Sequence, residues 1–146
     1  MKLFQQIAIL LLSLLGFFTS AQATLPIQQL EPFNGARAYF VQTKSLPMID
    51  IEVSIDAGDR YDPAGKSGLA DLTAGLMSYG VRGEKGLLSE AQIADEIADL
   101  GANIGLSVSG ERAILRIRSL SRKDLRDRAV QLAAAMLSAP IYDANI

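Results

Sequence analysis

The sequence GDRYDPAGKSGLADLTAGLMSYGV, residues 58–81, decides the fold of this chain. It follows an alternating strand and turns through Asp62-Pro63 and Gly65. An apolar segment comes next and predicts a helix over residues 67–78. The rest of the chain predicts a scaffold around this helix.

The first half of this stretch, residues 58–70, carries the pattern G-x-R-x-[DE]-x-x-G-K-x-G-L-A. The pattern resembles the pitrilysin/insulinase family of zinc peptidases, which includes mitochondrial processing peptidase. In those enzymes the next helix carries H-x-x-E-H, whose two histidines bind zinc and whose glutamate activates the attacking water. The resemblance aligns this motif with DLTAG at residues 71–75. It also implies a third zinc ligand, a glutamate, that would fall past Ile146.

The three functional side chains of the family are absent from the aligned positions. Asp71 can offer one carboxylate oxygen to a metal, whereas Ala74 cannot transfer a proton and Gly75 has no side chain. The chain contains no histidine and no cysteine, so imidazole or thiolate ligands cannot replace them from elsewhere within it. The resemblance therefore implies a chain without catalytic residue, metal ligand or cofactor, with zinc expected in an active partner.

Two of these positions also have an ordinary structural interpretation. The helix dipole alone favours Asp71 in the first turn of a helix. Gly75 inside a helix costs about 1 kcal/mol relative to alanine. It therefore marks either close packing against a neighbouring element or a position that has diverged from the family motif, and both alternatives stay open.

Length and charge narrow the class of protein. With 146 residues, 49% hydrophobic residues and a net charge of −2, the chain fits a globular protein of about one domain. The slightly acidic balance, together with five phenylalanines, four tyrosines and no tryptophan, does not favour binding of nucleic acid.

The N-terminus predicts a secretory signal peptide over residues 1–23. Lys2 supplies a positive charge, residues 7–18 form an apolar core, and Ala21-Gln22-Ala23 matches an A-x-A cleavage site. This core is shorter than the roughly 20 residues of a transmembrane helix, which favours cleavage after Ala23 over retention as an anchor. We therefore expect a periplasmic protein with no stable membrane span after the signal is removed.

The chain after the signal begins with a leading arm, residues 24–34, that ends in the turn Asn34-Gly35. Residues 36–41 predict a first strand. Residues 49–55 alternate isoleucine or valine with polar residues, which predicts a strand with one buried face. Beyond the central helix, residues 80–86 predict a polar, glycine-rich loop.

A second helix and a hairpin follow. Ser89 and Gln92 form a capping-box pattern at the start of the helix, and Gly101 suits its end. Residues 104–117 then alternate on both sides of Gly110-Glu111, which predicts a β-hairpin.

The last long helix is predicted to start at a Ser121 cap with Asp124 in its first turn and to end near Ser138. Residues 142–144 predict the start of another helix. Two sets of charged residues predict solvated faces rather than functional sites: Glu90, Asp95, Glu96 and Asp99 on the second helix, and Arg112, Arg116 and Arg118 on the hairpin. For the arginines, contact with an acidic partner is the alternative.

The order β-β-α-α-β-β-α predicts an α+β fold, an antiparallel or mixed sheet with helices packed on one face. The resemblance implies that residues 35–146 form the N-terminal domain of a processing-peptidase-like metallopeptidase, truncated at its C-terminus.

The resemblance also implies a function. It points to a secreted, non-catalytic homologue that forms a heterodimer with an active zinc-bearing paralogue and helps to hold unfolded peptide, which the family binds as an added strand at a sheet edge. Two alternatives stay open. One is an independent periplasmic peptide-binding or chaperone-like protein, and the other is a true metallopeptidase whose site lies outside this chain.

Overall fold

The computed structural model describes residues 25–83 and 86–142. The chain divides into two compact units after Lys44. The predicted signal peptide, residues 1–23, lies outside the described residues. Within the described ranges, no helix is long and apolar enough to cross a membrane.

The first unit contains a β-hairpin of strands β1 (Ile27–Phe33) and β2 (Ala36–Val41). Asn34 and Gly35 form its turn with φ of 50° and 79°, so the predicted turn and the strand after it are confirmed. β1 fills most of the predicted leading arm, where the sequence pattern indicated no strand. Its pairing becomes irregular in its second half, where Pro32 has no N–H to donate.

The second unit is organised around a three-stranded antiparallel sheet. Its strands run in the order β3-β7-β6: β3 (Met48–Ile55), β7 (Arg112–Leu120) and β6 (Asn103–Ser109). Ser109 lies opposite Arg112, so the hairpin closes through Gly110 and Glu111 as predicted. The period-two alternation identified all three strands.

Three helices complete the second unit: α1 (Leu69–Leu76), α2 (Glu90–Asp99) and α3 (Lys123–Ser138). α1 lies inside the predicted range. At the start of α2, the predicted capping box is confirmed, because Ser89 and Gln92 each accept the backbone N–H of the other. Gly101 follows with φ of 57°, and the Ala102 N–H donates to the Ile97 carbonyl, as in a glycine-terminated helix.

The cap predicted for α3 is wrong. The residue at the N-cap is Arg122, which makes no side-chain cap bond, and its guanidinium pairs with Asp124 at 2.7 Å. Ser121 donates its N–H to the Pro47 carbonyl at 2.9 Å, so its backbone still belongs to the end of the sheet. α3 ends at Ser138, as predicted. The further helix start predicted at residues 142–144 falls mostly outside the described residues.

The loop predicted over residues 80–86 is also wrong. Two short strands pair there: β4 (Gly80–Gly83) and β5 (Gly86–Ser89). Val81 is fully buried, the Arg82 N–H donates to Ala139, and the Ile141 N–H donates to Gly80. These bonds join β4 to the segment after α3, a partner too distant in sequence for a local pattern to reveal.

The core lies on one face of the sheet. Buried residues of β7 pack with α3 and the end of α2, and a second cluster joins β4, α2 and α3: Leu100, Leu115, Ile117, Ala129 and Ala133 in the first, and Val81, Ile93, Leu132 and Met136 in the second. α1 packs against β6 and α3 against β7. The second unit is therefore an α+β fold with an antiparallel sheet, as predicted.

Candidate functional site

The loop between β3 and α1 is held against the β6–β7 turn. Gly58 is buried and donates its N–H to the Glu111 carbonyl at 3.1 Å. A Cβ atom at position 58 would lie 2.1 Å from the Gly110 carbonyl oxygen, so only glycine fits there. The Arg60 N–H also donates to Gly110, at 2.9 Å, and the Arg60 side chain pairs with Glu111. The loop position is thus set by the tip of the neighbouring hairpin.

The same loop supplies the cap of α1. The Asp62 carboxylate accepts the N–H groups of Gly68 at 2.7 Å, Leu69 at 3.1 Å and Ala70 at 2.9 Å. Gly68, the N-cap residue, has φ of 87° and no side chain of its own to donate or accept. A negative charge at a helix N-terminus is also favoured by the helix dipole. Asp62 therefore fixes where α1 begins, a role that the sequence pattern did not reveal.

The three aligned motif positions lie on two faces of α1. Asp71 and Gly75, one turn apart, are exposed together. Ala74 is 7% exposed and points towards the sheet. A Cβ atom at Gly75 would meet no heavy atom of the described residues within 4 Å beyond the backbone of its own helix. Packing against another described residue therefore does not account for this glycine.

The donors at these positions do not fit zinc. Structural and catalytic zinc sites use at least three protein ligands, and Asp71 is the single side-chain donor among the three positions. Among the described residues, no group of three or more histidine, cysteine, aspartate or glutamate side chains is arranged to hold a metal ion.

A groove opens between α1 and the sheet, with a volume of about 290 Å³. We call it the α1 groove, and its walls include Tyr61, Ala70, Thr73 and Ala74 on one side and Leu106 and Val108 of β6 on the other. Two polar side chains of the groove bond within the chain: the Asp62 carboxylate caps α1, and the Thr73 hydroxyl donates to the Leu69 carbonyl at 2.7 Å. The groove therefore offers mainly apolar surface.

The opposite face of the sheet is polar and carries a ladder of ion pairs between β7 and β3. Arg118 binds Asp50 through two hydrogen bonds of 2.6 and 3.2 Å, and Arg116 binds Glu52 at 3.1 Å. Arg112 donates to Ser54 at 2.9 Å. The hydrogen bond from Arg118 lowers the pKa of the Asp50 carboxyl, and the same contact raises the pKa of Arg118.

These arginines are exposed, as predicted for a solvated face, yet their partners come from this chain. Directly opposite residues in an antiparallel pair share a face, and Asp50 lies opposite Arg118 as Glu52 lies opposite Arg116. The sequence shows acidic residues at alternate positions of β3 and arginines at alternate positions of β7. It does not show which acidic residue lies opposite which arginine.

Solved structures that are similar to this fold include the following three. A peptidase M16 inactive domain from Pseudomonas fluorescens has a TM-score of 0.74 and 31% identity, over 83% of this chain and 28% of that chain. A protease from Helicobacter pylori has a TM-score of 0.68 and 18% identity, over 84% of this chain and 28% of that one. The periplasmic protease PqqL from Escherichia coli has a TM-score of 0.68 and 22% identity, over 86% of this chain and 14% of that one.

The likeness supports the resemblance to the pitrilysin/insulinase type, since the Pseudomonas fluorescens structure is a peptidase M16 domain of the same fold. The other two neighbours show the fold alone. The chain covers less than a third of the length of each neighbour. No protein-family model and no curated protein matches the sequence.

Proposed function

We propose that this chain is a non-catalytic domain of the peptidase M16 type, the pitrilysin/insulinase family, and that it serves as partner to an active zinc-bearing paralogue. One observation carries the proposal. The loop built by Gly58 and Asp62 positions α1, yet this helix presents Asp71, Ala74 and Gly75 where the zinc chemistry needs histidine, glutamate and histidine. The 31% identity with an inactive M16 domain supports it.

The contribution of the chain to such a pair would be to hold peptide. β6 pairs with β7 on one side only, and its other edge has no strand partner among the described residues. An exposed edge can accept an extended peptide through backbone hydrogen bonds, and this mode needs no metal. Peptide binding can therefore outlast the loss of a catalytic site.

The experiment measures zinc content and peptidase activity on an unfolded peptide. The secreted chain is assayed alone and mixed with a paralogue of the same genome that carries an intact H-x-x-E-H motif. We expect activity only in the mixture, zinc bound only by the paralogue, and co-purification of the two. Stoichiometric zinc in this chain alone would contradict the proposal, because it would require a ligand set that the aligned positions do not contain.

A second candidate function is favoured by the same free edge and by the α1 groove. The chain would then bind peptide as an independent periplasmic protein. A stable monomer that prevents aggregation of an unfolded peptide, without any gain when the paralogue is added, would favour this candidate over the partner role.

The proposed location is the periplasm, since the first 23 residues match a cleavable signal. Mass spectrometry of the protein from the periplasmic fraction should give an N-terminus at Thr24. A mass that includes Lys2 and the apolar core would show retention as an anchor instead.

A further inference from the structure

The outer edge of β3 is the other free edge of the three-stranded sheet. Within the described ranges, β7 is the one strand neighbour of β3. All residues of β3 pair with β7 in a regular register, and the strand contains neither a bulge nor a proline. Short length, bulges and proline are common ways to protect an edge strand from pairing. Since β3 has none of them, its backbone can accept a further strand along its whole length.

One face of this edge is apolar and incompletely covered. The odd-numbered residues of β3 lie on the helix side of the sheet, where Ile51 packs against the core. α3 packs against β7 and α1 against β6, whereas Val53 and Ile55 at the edge remain 39% and 38% exposed. An added strand would direct every second side chain to this side. Apolar residues at those positions would remove Val53 and Ile55 further from water.

The other face of this edge is acidic. Asp50 and Glu52 lie on it with side chains that are more than half exposed, and Asp56 follows the strand. Glu52 binds Arg116 through one of its two carboxylate oxygens. The arginines belong to β7, which is the inner strand of the sheet. The charged residues next to an added strand would therefore all be carboxylates.

This acidic row disfavours a second copy of β3 as the added strand. A two-fold axis between two antiparallel β3 strands would place the same row of each copy side by side. In the central registers, Asp50 would lie opposite Glu52 of the second copy, or Glu52 opposite its own counterpart. Like charges directly opposite each other destabilise a strand pair, whereas opposite charges stabilise it. The row therefore favours a strand that carries lysine or arginine.

We propose that the outer edge of β3 is a docking site for an extended segment of another polypeptide in which basic and apolar residues alternate. The basic residues of this segment lie opposite the acidic row, and its apolar residues lie beside Val53 and Ile55. This site is separate from the β6 edge and does not depend on the peptide-holding function proposed for that edge.

The test uses two fluorescent peptides, each about ten residues long, which is enough to span an edge strand. One alternates valine with lysine, and the other alternates valine with glutamate. Anisotropy titration of the secreted chain should show about ten-fold tighter binding of the lysine peptide, because each opposed pair changes from attraction to repulsion in the other peptide. Salt at about 1 M should remove most of this preference, since it screens exposed charges.

Two variants separate the acidic row from the overall charge of the chain. Glu52→Gln removes a carboxylate of the row and should weaken binding of the lysine peptide by about three-fold. Glu90→Gln removes the same charge from an exposed position on α2 and should leave the binding unchanged. Circular dichroism establishes that both variants are folded before they are compared. Equal weakening by the two variants would contradict docking at the acidic row.

Cross-linking identifies the edge that the peptide occupies. The chain contains no cysteine, so a single introduced thiol reports one position. Ser54→Cys places a thiol on β3 and Ser107→Cys places one on β6, both on exposed positions of the polar face. A lysine peptide with one central lysine replaced by cysteine should form a disulfide with Ser54→Cys and not with Ser107→Cys.

The remaining outcomes overturn the proposal in distinguishable ways. A disulfide with Ser107→Cys alone would place the peptide on the β6 edge, which would overturn the β3 site and leave the peptide-holding function intact. Equal binding of the two peptides, or no binding of either, would show that the acidic row selects nothing. Self-association of the folded chain that Ser54→Cys captures as a disulfide-linked dimer would assign the β3 edge to a second copy.

Discussion

The carboxylate of Asp62 accepts the backbone N–H of Ala70 at 2.9 Å, eight residues along the chain. With the bonds from Gly68 and Leu69, it satisfies three of the four N–H groups that the start of a helix leaves free. The acidic position of the family-like pattern therefore has a structural role here that does not depend on metal chemistry.

Replacement of Asp62 tests this role. Asp62→Ala should lower the free energy of unfolding by about 1–2 kcal/mol, as expected for loss of a helix cap. Asp62→Asn keeps one oxygen acceptor and should lose less. Urea denaturation followed by circular dichroism measures both. A loss in Asp62→Ala no larger than a few tenths of a kcal/mol, as for ordinary surface substitutions, would contradict the capping role.

The caps of α1 and α2 differ in how far the sequence predicts them. The α2 cap is local, because Ser89 and Gln92 satisfy each other within one turn, and its pattern was sufficient. The α1 cap comes from a loop residue outside the helix, and the restriction at Gly58 comes from the Gly110 carbonyl. The β4–β5 hairpin depends on bonds to Ala139 and Ile141. Contacts between distant residues carry no local signature, so these features were missed.

The aligned motif positions were predictable only through the family resemblance. Alternation and periodicity placed residues 71–75 on a helix, but they did not reveal that Ala74 would face an open groove while Asp71 and Gly75 faced outwards. That separation depends on how α1 packs on β6.

Two glycines should respond in opposite directions to the same change. Gly75→Ala should raise the free energy of unfolding by about 1 kcal/mol, because alanine has the better helix propensity and its Cβ meets open space. Gly58→Ala should lower it by roughly 1–3 kcal/mol, because its Cβ would collide with the Gly110 carbonyl. Urea midpoints measure both variants, and a destabilised Gly75→Ala would show that the helix packs against something at that position.

The buried hydroxyl of Ser119 makes no hydrogen bond with any described residue. An unsatisfied buried hydroxyl costs free energy, so Ser119→Ala should raise the free energy of unfolding by about 1 kcal/mol. Ser119→Val, which adds volume at a fully buried site, is the matched comparison and should destabilise. If Ser119→Ala is itself destabilised by more than about 1 kcal/mol, the hydroxyl has a partner such as an ordered water.

Asp50 and Arg118 should make the stability of the sheet sensitive to acid. The folded-state pKa of Asp50 is lowered, mainly by its hydrogen bond from Arg118. A lowered pKa contributes stability above the unfolded-state value of about 3.9, and this contribution is lost as the pH falls through the folded-state pKa. Asp50→Asn should therefore be less stable than the parent at neutral pH, and the difference should shrink below about pH 4.

Arg118→Gln provides the control for that prediction. It removes the other partner of the same ion pair. The loss of folding stability at acid pH should therefore become smaller by the same amount as in Asp50→Asn, and the double variant should show no further reduction. Equal acid sensitivity in the parent and in Asp50→Asn would mean that the pair contributes nothing to folding, as is common for exposed pairs.

Placing a glutamate at position 74 tests how apolar the α1 groove is. Ala74 is 7% exposed and lines an apolar groove. Without a metal or a base beside it, a glutamate in that position would be ionised among hydrocarbon groups, and burial would raise the pKa of its carboxyl. A raised folded-state pKa means that the variant binds its proton more tightly when folded, so the cost is smallest at low pH and grows as the pH rises above the unfolded value of about 4.3.

We therefore expect Ala74→Glu to be destabilised relative to the parent by roughly 1–3 kcal/mol more at pH 7.5 than at pH 4.5. Gly75→Glu carries the same group on the exposed face of α1 and should show no such dependence. Urea titrations of the three proteins at both values, each variant compared with the parent at the same pH, separate this effect from the titration of the ion-pair ladder. A pH-independent Ala74→Glu would contradict this expectation, because it would mean that a side chain at position 74 reaches solvent through the α1 groove.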